Sequence, residues 1–203
     1  MFKKLASETL GLSDIGKIVA PSDYDKVDAD DYIFHEDGEK IFFLIKSKKD
    51  EYCFTNLALI HVDGDSAISS KRKVIRYEYV THKVSEVFIE TAGNIDLDIE
   101  LKFTFNERIS FSIDVEKNAI ESLKDIYKAL ITMGKLQHQQ EQARNNAMLC
   151  FNGLTSMYKI GSLETDETFI KQFNAIVLNY NATILDRYTK RDFSNIFEKY
   201  IRA

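Results

Sequence analysis

Leu97-Asp98-Ile99-Glu100-Leu101-Lys102-Phe103-Thr104-Phe105 alternates apolar and polar residues without a break, and that period of two decides the fold. Successive side chains of a strand point to opposite faces. Leu97, Ile99, Leu101, Phe103 and Phe105 therefore share a buried face, while Asp98, Glu100, Lys102 and Thr104 meet solvent. Downstream, Asn106-Glu107 predicts a turn into Ile109, Phe111 and Ile113, with Ser110 and Ser112 outward. Upstream, residues 41–46, 51–54 and 57–62 predict three strands. They are joined by the polar turn Ser47-Lys48-Lys49-Asp50 and a tight Thr55-Asn56 turn, where Asn accommodates positive φ. Residues 74–80 and 84–91 supply two more β-rich runs. Seven strands in succession predict a mainly β, antiparallel domain within an α+β chain.

After residue 113 the period becomes helical. Asp114 is placed to cap a helix with Glu116 in its first turn, and Ile120, Leu123, Tyr127, Leu130 and Ile131 recur at spacings suited to plugging an open end of the β layer. Residues 136–146 contain neither Gly nor Pro and are polar all round. Apolar spacing resumes at Ala147, Phe151, Leu154 and Tyr158, and Gly161-Ser162 breaks the chain. Thr165 is a candidate cap for a partner helix bearing Phe169, Phe173, Ile176, Val177, Tyr180 and Ile184. Thr189 with Asp192 resembles a capping box opening a last helix with Phe193, Ile196, Phe197, Tyr200 and Ile201. At the other end, Phe2, Leu5, Ala6 and Thr9 predict a short helix ending near Gly11. The acid-rich stretch Asp23, Asp25, Asp28, Asp30, Asp31, Glu36, Asp37 and Glu39 predicts a solvated loop. The expected organisation is an N-terminal helical arm over 1–30, a β domain with its capping helix over 31–133, and a helical extension over 134–203.

Composition narrows the function classes. Hydrophobic residues make up 44% and charged residues 29% of 203 residues, and no apolar run approaches the roughly 20 needed to span a bilayer. The start, Met1 to Glu8, lacks the apolar run and cleavage site of a secretory signal, which predicts a cytosolic protein. Cys53 and Cys150 suit a reducing compartment and read as buried apolar residues. A net charge of −5 argues against broad attraction to nucleic acid.

Motifs for chemistry fail individually. Asp23-Tyr24-Asp25 opens like a calcium loop, but Val27, Asp28 and Phe34 stand where a ligand, the glycine and the final glutamate belong. His35, His61, His82 and His138 show no zinc spacing, and 8 glycines leave little material for a phosphate cradle. No catalytic residue, metal ligand or cofactor is predicted.

Seven strands followed by a long helix, with Tyr52-Cys53-Phe54-Thr55-Asn56-Leu57-Ala58-Leu59-Ile60-His61-Val62-Asp63 across the Thr-Asn turn, resembles the bacterial pleckstrin-homology-like family. Phe2-Lys3-Lys4-Leu5-Ala6 and Leu12-Ser13-Asp14-Ile15-Gly16-Lys17-Ile18 add to the resemblance. It covers residue 1 to about 133, and 134–203 resembles the oligomerisation extension of part of that family. The resemblance implies two orthogonal sheets capped by a helix in a barrel or sandwich, and symmetric homo-oligomers. Eukaryotic relatives of the fold bind phosphoinositides at the first hairpin, where Lys46, Lys48 and Lys49 stand here. Lys71, Arg72, Lys73 and Arg76 form a second cluster able to face an anionic membrane. The plainer reading of the first cluster is a solvated hairpin tip with edge lysines, and the overall acidity of the chain counts against the second.

The expectation is a self-assembling scaffold. Its contacts with further copies or an unidentified protein partner would be made by Phe151, Tyr158, Phe169, Phe173, Tyr180, Phe193, Phe197 and Tyr200. The alternative is a module at the inner membrane surface that binds anionic head groups.

Overall fold

The computed structural model describes residues 13–64, 72–91, 98–157 and 167–201. The expected helix ending near Gly11 lies outside them. Each of the seven expected strands is present, and an eighth precedes them. The first sheet runs β1 (Lys17–Ile18), β2 (Ile41–Lys46), β3 (Asp50–Thr55), β4 (Ala58–Gly64) and β5 (Arg72–Glu78); the second runs β6 (Val84–Thr91), β7 (Asp98–Phe105) and β8 (Ile109–Glu116). All neighbouring strands are antiparallel. Gly16 joins the two sheets, donating to Asp114 O (2.7 Å) and accepting from Glu116 N–H (3.0 Å). A Cβ there would fall 2.8 Å from the Asp114 carbonyl, so only glycine permits this approach.

Inward faces of both sheets meet in an aromatic core. Phe54 approaches Phe103 at 6.0 Å, and Phe103 stacks on Phe111, its cross-strand partner, at 4.8 Å. Helix α1 (Ile120–Met157) closes the core with Leu123, Ile126, Ala129, Leu130 and Met133. Tyr127 and Ile131, expected in that stripe, are half-buried. Gly134 ends the buried stretch; a Cβ there would lie 2.5 Å from Val84 O on β6. Asp114 does not cap the helix. Val115 continues the strand alternation, is buried and pairs with Ile99, so β8 runs to Glu116 and a 3-10 turn, Lys117–Ala119, precedes α1.

The outward face of the first sheet is also covered, so the acid-rich stretch expected to be a solvated loop also buries Val27, Ala29, Ile33 and Glu39. After β1 the chain forms 3-10 turns at Pro21–Lys26, Asp28–Tyr32 and His35–Asp37. Among the acids, Val27, Ala29 and Ile33 face inward. With Val19 they form a second apolar layer on Leu44, Cys53, Ile60 and Val62. Glu51, 1% exposed, fastens this flap by accepting from Ala29 N–H (2.7 Å), Asp28 N–H (3.3 Å) and the Lys46 ammonium. Glu39 fastens its end, accepting from Phe34 N–H (3.0 Å), Thr55 Oγ1 (2.5 Å) and Arg76 Nη1 (3.0 Å). The Thr55-Asn56 turn needs no positive φ: Thr55 Oγ1 accepts from Leu57 N–H (3.1 Å) and Ala58 N–H (2.9 Å).

The chain forms two compact units, residues 1–134 with 191–203, and residues 135–190. By this division the last helix falls in the unit that holds the sheets. In α3 (Ser194–Tyr200), Phe197 is fully buried, as is Phe193 just before it; Phe193 packs edge-on against Tyr79 (5.6 Å) and Phe197 stacks on Phe42 (5.2 Å). Asn56 holds the segment, with its C=O accepting from Phe193 N–H (2.9 Å) and Nδ2 donating to Asp192 Oδ2 (3.0 Å). Asp192 caps the start through Ser194 N–H (2.7 Å), whereas Thr189, the expected cap, donates back to Ile184 O (3.1 Å). In the second unit, α1 continues from Lys135 and α2 spans Glu167–Arg187.

Phe197→Ala removes a fully buried ring and should cost about 3–5 kcal/mol in denaturant unfolding. Glu51→Ala strands the Lys46 ammonium and should cost a similar amount, roughly 3–5 kcal/mol. The pair Lys46→Met with Glu51→Leu should recover most of that, leaving about 1–3 kcal/mol for the unmet amides of Asp28 and Ala29.

Candidate functional site

Two residue sets were candidates, and the structure treats them differently. Of the basic set, Lys46 is buried against Glu51. Arg72 pairs with Asp28 (3.2 Å) and donates to Lys49 O (3.2 Å). Arg76 is clamped by Glu39 and Glu78 and lies over the Phe34 ring (4.8 Å). Burial alone would lower the pKa of that guanidinium; its hydrogen bonds to Glu39 and Glu78 outweigh burial and hold the charge. These three cations are paired with the chain's own carboxylates. Lys48 and Lys49 are exposed at the β2–β3 tip, Lys73 is exposed on β5 opposite Asp63, and Lys71 lies outside the described residues.

The histidines fill structural roles. His35 contacts Asp30 (3.1 Å) rather than its sequence neighbours Glu36 and Asp37. His61 contacts Asp50 (3.0 Å) and stacks on Tyr52 (4.4 Å), whose phenol is raised by burial and then by Asp50. Cys53 is buried, and burial raises its thiol well above the usual range. No cluster of three metal-ligating side chains occurs among the described residues.

The aromatic set divides between the two units. Phe193 and Phe197 belong to the β core and Tyr200 is half-buried there, accepting from Thr132 Oγ1 (3.0 Å). Phe193 and Phe197, expected as contacts for another molecule, are instead buried in cis. Phe151 and Tyr180 meet across the second unit at 4.8 Å, and Tyr180 OH donates to Met148 Sδ (3.6 Å). Lys190 N–H donates to Gln140 Oε1 (3.3 Å). Phe173 is exposed, Phe169 falls within α2, and Tyr158 lies outside the described residues.

The second unit buries little among its described residues. Among the described residues of 135–190, the single one classed as buried is Gln137, which is polar. Met148, Leu149, Ile170, Phe173, Ile176 and Leu178 are exposed there, with Leu149 at 68% and Leu178 at 69%. Cys150, expected to be buried, is exposed in the same stretch of α1. The available signal was the width of the apolar positions in α2: Ile170, Phe173, Ile176, Val177 and Leu178 span more of the helix than one neighbouring helix covers.

Comparison with known proteins places this geometry. A family model described as the bacterial PH domain matches residues 9–134. The uncharacterized protein YvbH of Bacillus subtilis (strain 168) is 49% identical over 203 residues, 99% of each chain. YjqA of the same organism, also uncharacterized, is 32% identical over 94 residues, 46% of this chain and 74% of that one. The crystal structure of a PH-domain-containing bacterial protein from Exiguobacterium sibiricum 255-15 superposes with a TM-score of 0.84 at 40% identity, covering 93% of this chain and 100% of the other. The last similarity continues past residue 134, so the helical unit is shared as well as the β unit. With its two antiparallel sheets plugged by α1 and a family match over 9–134, the chain belongs to the bacterial PH domain family.

Proposed function

We propose that the protein is a non-enzymatic assembly module in which the helical unit, residues 135–190, is the surface of self-association and the PH-like unit is the body it gathers. One observation carries the reading: apolar side chains are exposed along both helices of that unit, and among its described residues no apolar one is buried. A unit of this length without a dry core has little to offset chain entropy, and burying its apolar faces against further helices supplies that core. The Phe151–Tyr180 contact holds the two helices together, while Leu149, Ile176 and Leu178 stay available to other chains. Closed symmetry is the ordinary outcome when identical chains pair through one face. A head-group site gains no comparable support, since Lys46, Arg72 and Arg76 already have carboxylate partners.

Light scattering after size exclusion should give a multimer for the full chain. Replacing residues 135–190 by a short Gly-Ser linker, which keeps α3 on the β unit, should give a folded monomer. Ile176→Glu with Leu178→Glu should lower the mass without unfolding the β unit, and a monomeric full chain would overturn the proposal. Flotation with phosphatidylserine vesicles at low salt should leave the full chain unbound; attachment that salt releases would restore the head-group reading.

A further inference from the structure

The outer edge of the first sheet loses its neighbour part-way along β2. β1 pairs with Lys46 and Ile45, and Val19 N–H adds one bond to Leu44 O (2.9 Å). At Pro21, which has no N–H to donate, the chain turns away into Pro21–Lys26. Among the described residues no strand therefore pairs with Ile41–Phe43 on that side. An edge left this way carries main-chain groups ready to pair with another extended chain.

Here the edge forms one wall of a half-open cleft of about 550 Å³, bounded by the flap, the start of α1 and the end of α3. Ile18, Ile41, Phe42 and Ile201 make it apolar. Its polar groups are Ser122, the Tyr24 phenol and the carboxylates of Asp125 and Glu198; neither lysine nor arginine lines it. Burial pushes Tyr24 up to about 12, so it remains a neutral hydroxyl. Asp125 and Glu198 hold Lys128 (3.0 Å) and Lys40 (3.1 Å) in surface pairs, which are weak and readily exchanged.

We propose that this cleft receives an extended, basic and apolar peptide segment, which adds to the edge of β2 at Ile41–Phe43 and sets a lysine or arginine against Asp125 and Glu198. The charge of the lining selects that occupant. An anionic head group or acidic peptide would meet two carboxylates, and a helical segment would leave the main-chain edge unused. This site is separate from the helical unit, so it stands or falls independently of self-association.

The test uses the full chain and a fluorescein-labelled peptide of alternating valine and lysine, with three probes beside it: a valine–glutamate peptide, a valine–lysine peptide N-methylated at alternate backbone nitrogens, and dodecylammonium. Fluorescence polarisation should show the valine–lysine peptide binding at least about tenfold more tightly than the valine–glutamate one, and the N-methylated peptide losing that affinity. Hydrogen exchange should slow at Ile41–Phe43. Asp125→Lys with Glu198→Lys should invert the preference, a gain for the acidic peptide that an unfolded variant would not give. Equal binding of the two peptides, protection away from residues 41–43, or binding of dodecylammonium but of no peptide would overturn the proposal.

Discussion

The buried carboxylate of Glu51 is the constraint on which the outward face of the first sheet depends. A carboxylate removed from water costs several kcal/mol unless donors replace the lost hydration. Lys46 supplies one from the neighbouring strand, and the amides of Asp28 and Ala29 supply two more from a segment more than twenty residues earlier. Once those amides are held, Val27 and Ala29 are positioned over Cys53 and Ile60, and the flap excludes the water that would otherwise solvate Glu51. Polar anchor and apolar layer therefore require each other. Glu39 repeats the arrangement at the flap's other end, with Arg76, Thr55 and the Phe34 amide as donors.

The same arrangement gives three of the basic residues carboxylate partners. Asp28 reaches Arg72 because the flap crosses the sheet, and Glu39 reaches Arg76 for the same reason. Charges that look like a binding patch in one dimension are half of a set of ion pairs in three. An anionic ligand at Lys46 or Arg76 would have to displace the buried carboxylate of Glu51 or Glu39, an exchange with little net gain.

How much was legible in the sequence depended on whether a signal was local. Strict alternation at Ile99, Leu101, Phe103 and Phe105 is dictated by the pleat and survives any tertiary context, so the strands and their inward faces were readable. The flap was not, because Val27, Ala29 and Ile33 are separated by acids and hidden from any periodic template; what buries them is long-range pairing with Glu51 and Glu39. The last helix failed for a different reason. Phe193, Ile196 and Phe197 make the same stripe whether covered by their own chain or another, and the deciding contact, Asn56 to Asp192 and Phe193, spans more than 130 residues. In the candidate surface, apolar positions on α2 were readable and wider than one neighbouring helix covers, but which of them stay exposed could be seen only in three dimensions.

Chain order gives α3 its importance. The helical unit is connected to the β unit at both ends, since the chain leaves after Gly134 and returns at Arg191 to complete a core begun some sixty residues earlier. Bringing the two ends of such an insertion together costs entropy that grows only slowly with length. Burial of Phe193, Ile196 and Phe197, at roughly 1.5–3 kcal/mol per large apolar side chain, offsets a cost of that kind. The β unit thus closes with residues drawn from both sides of the insertion, and among the described residues none of the buried apolar side chains comes from 135–190. A helical unit relieved of any part in that core can leave its own apolar faces uncovered without endangering the fold, which is the physical condition an assembly surface requires.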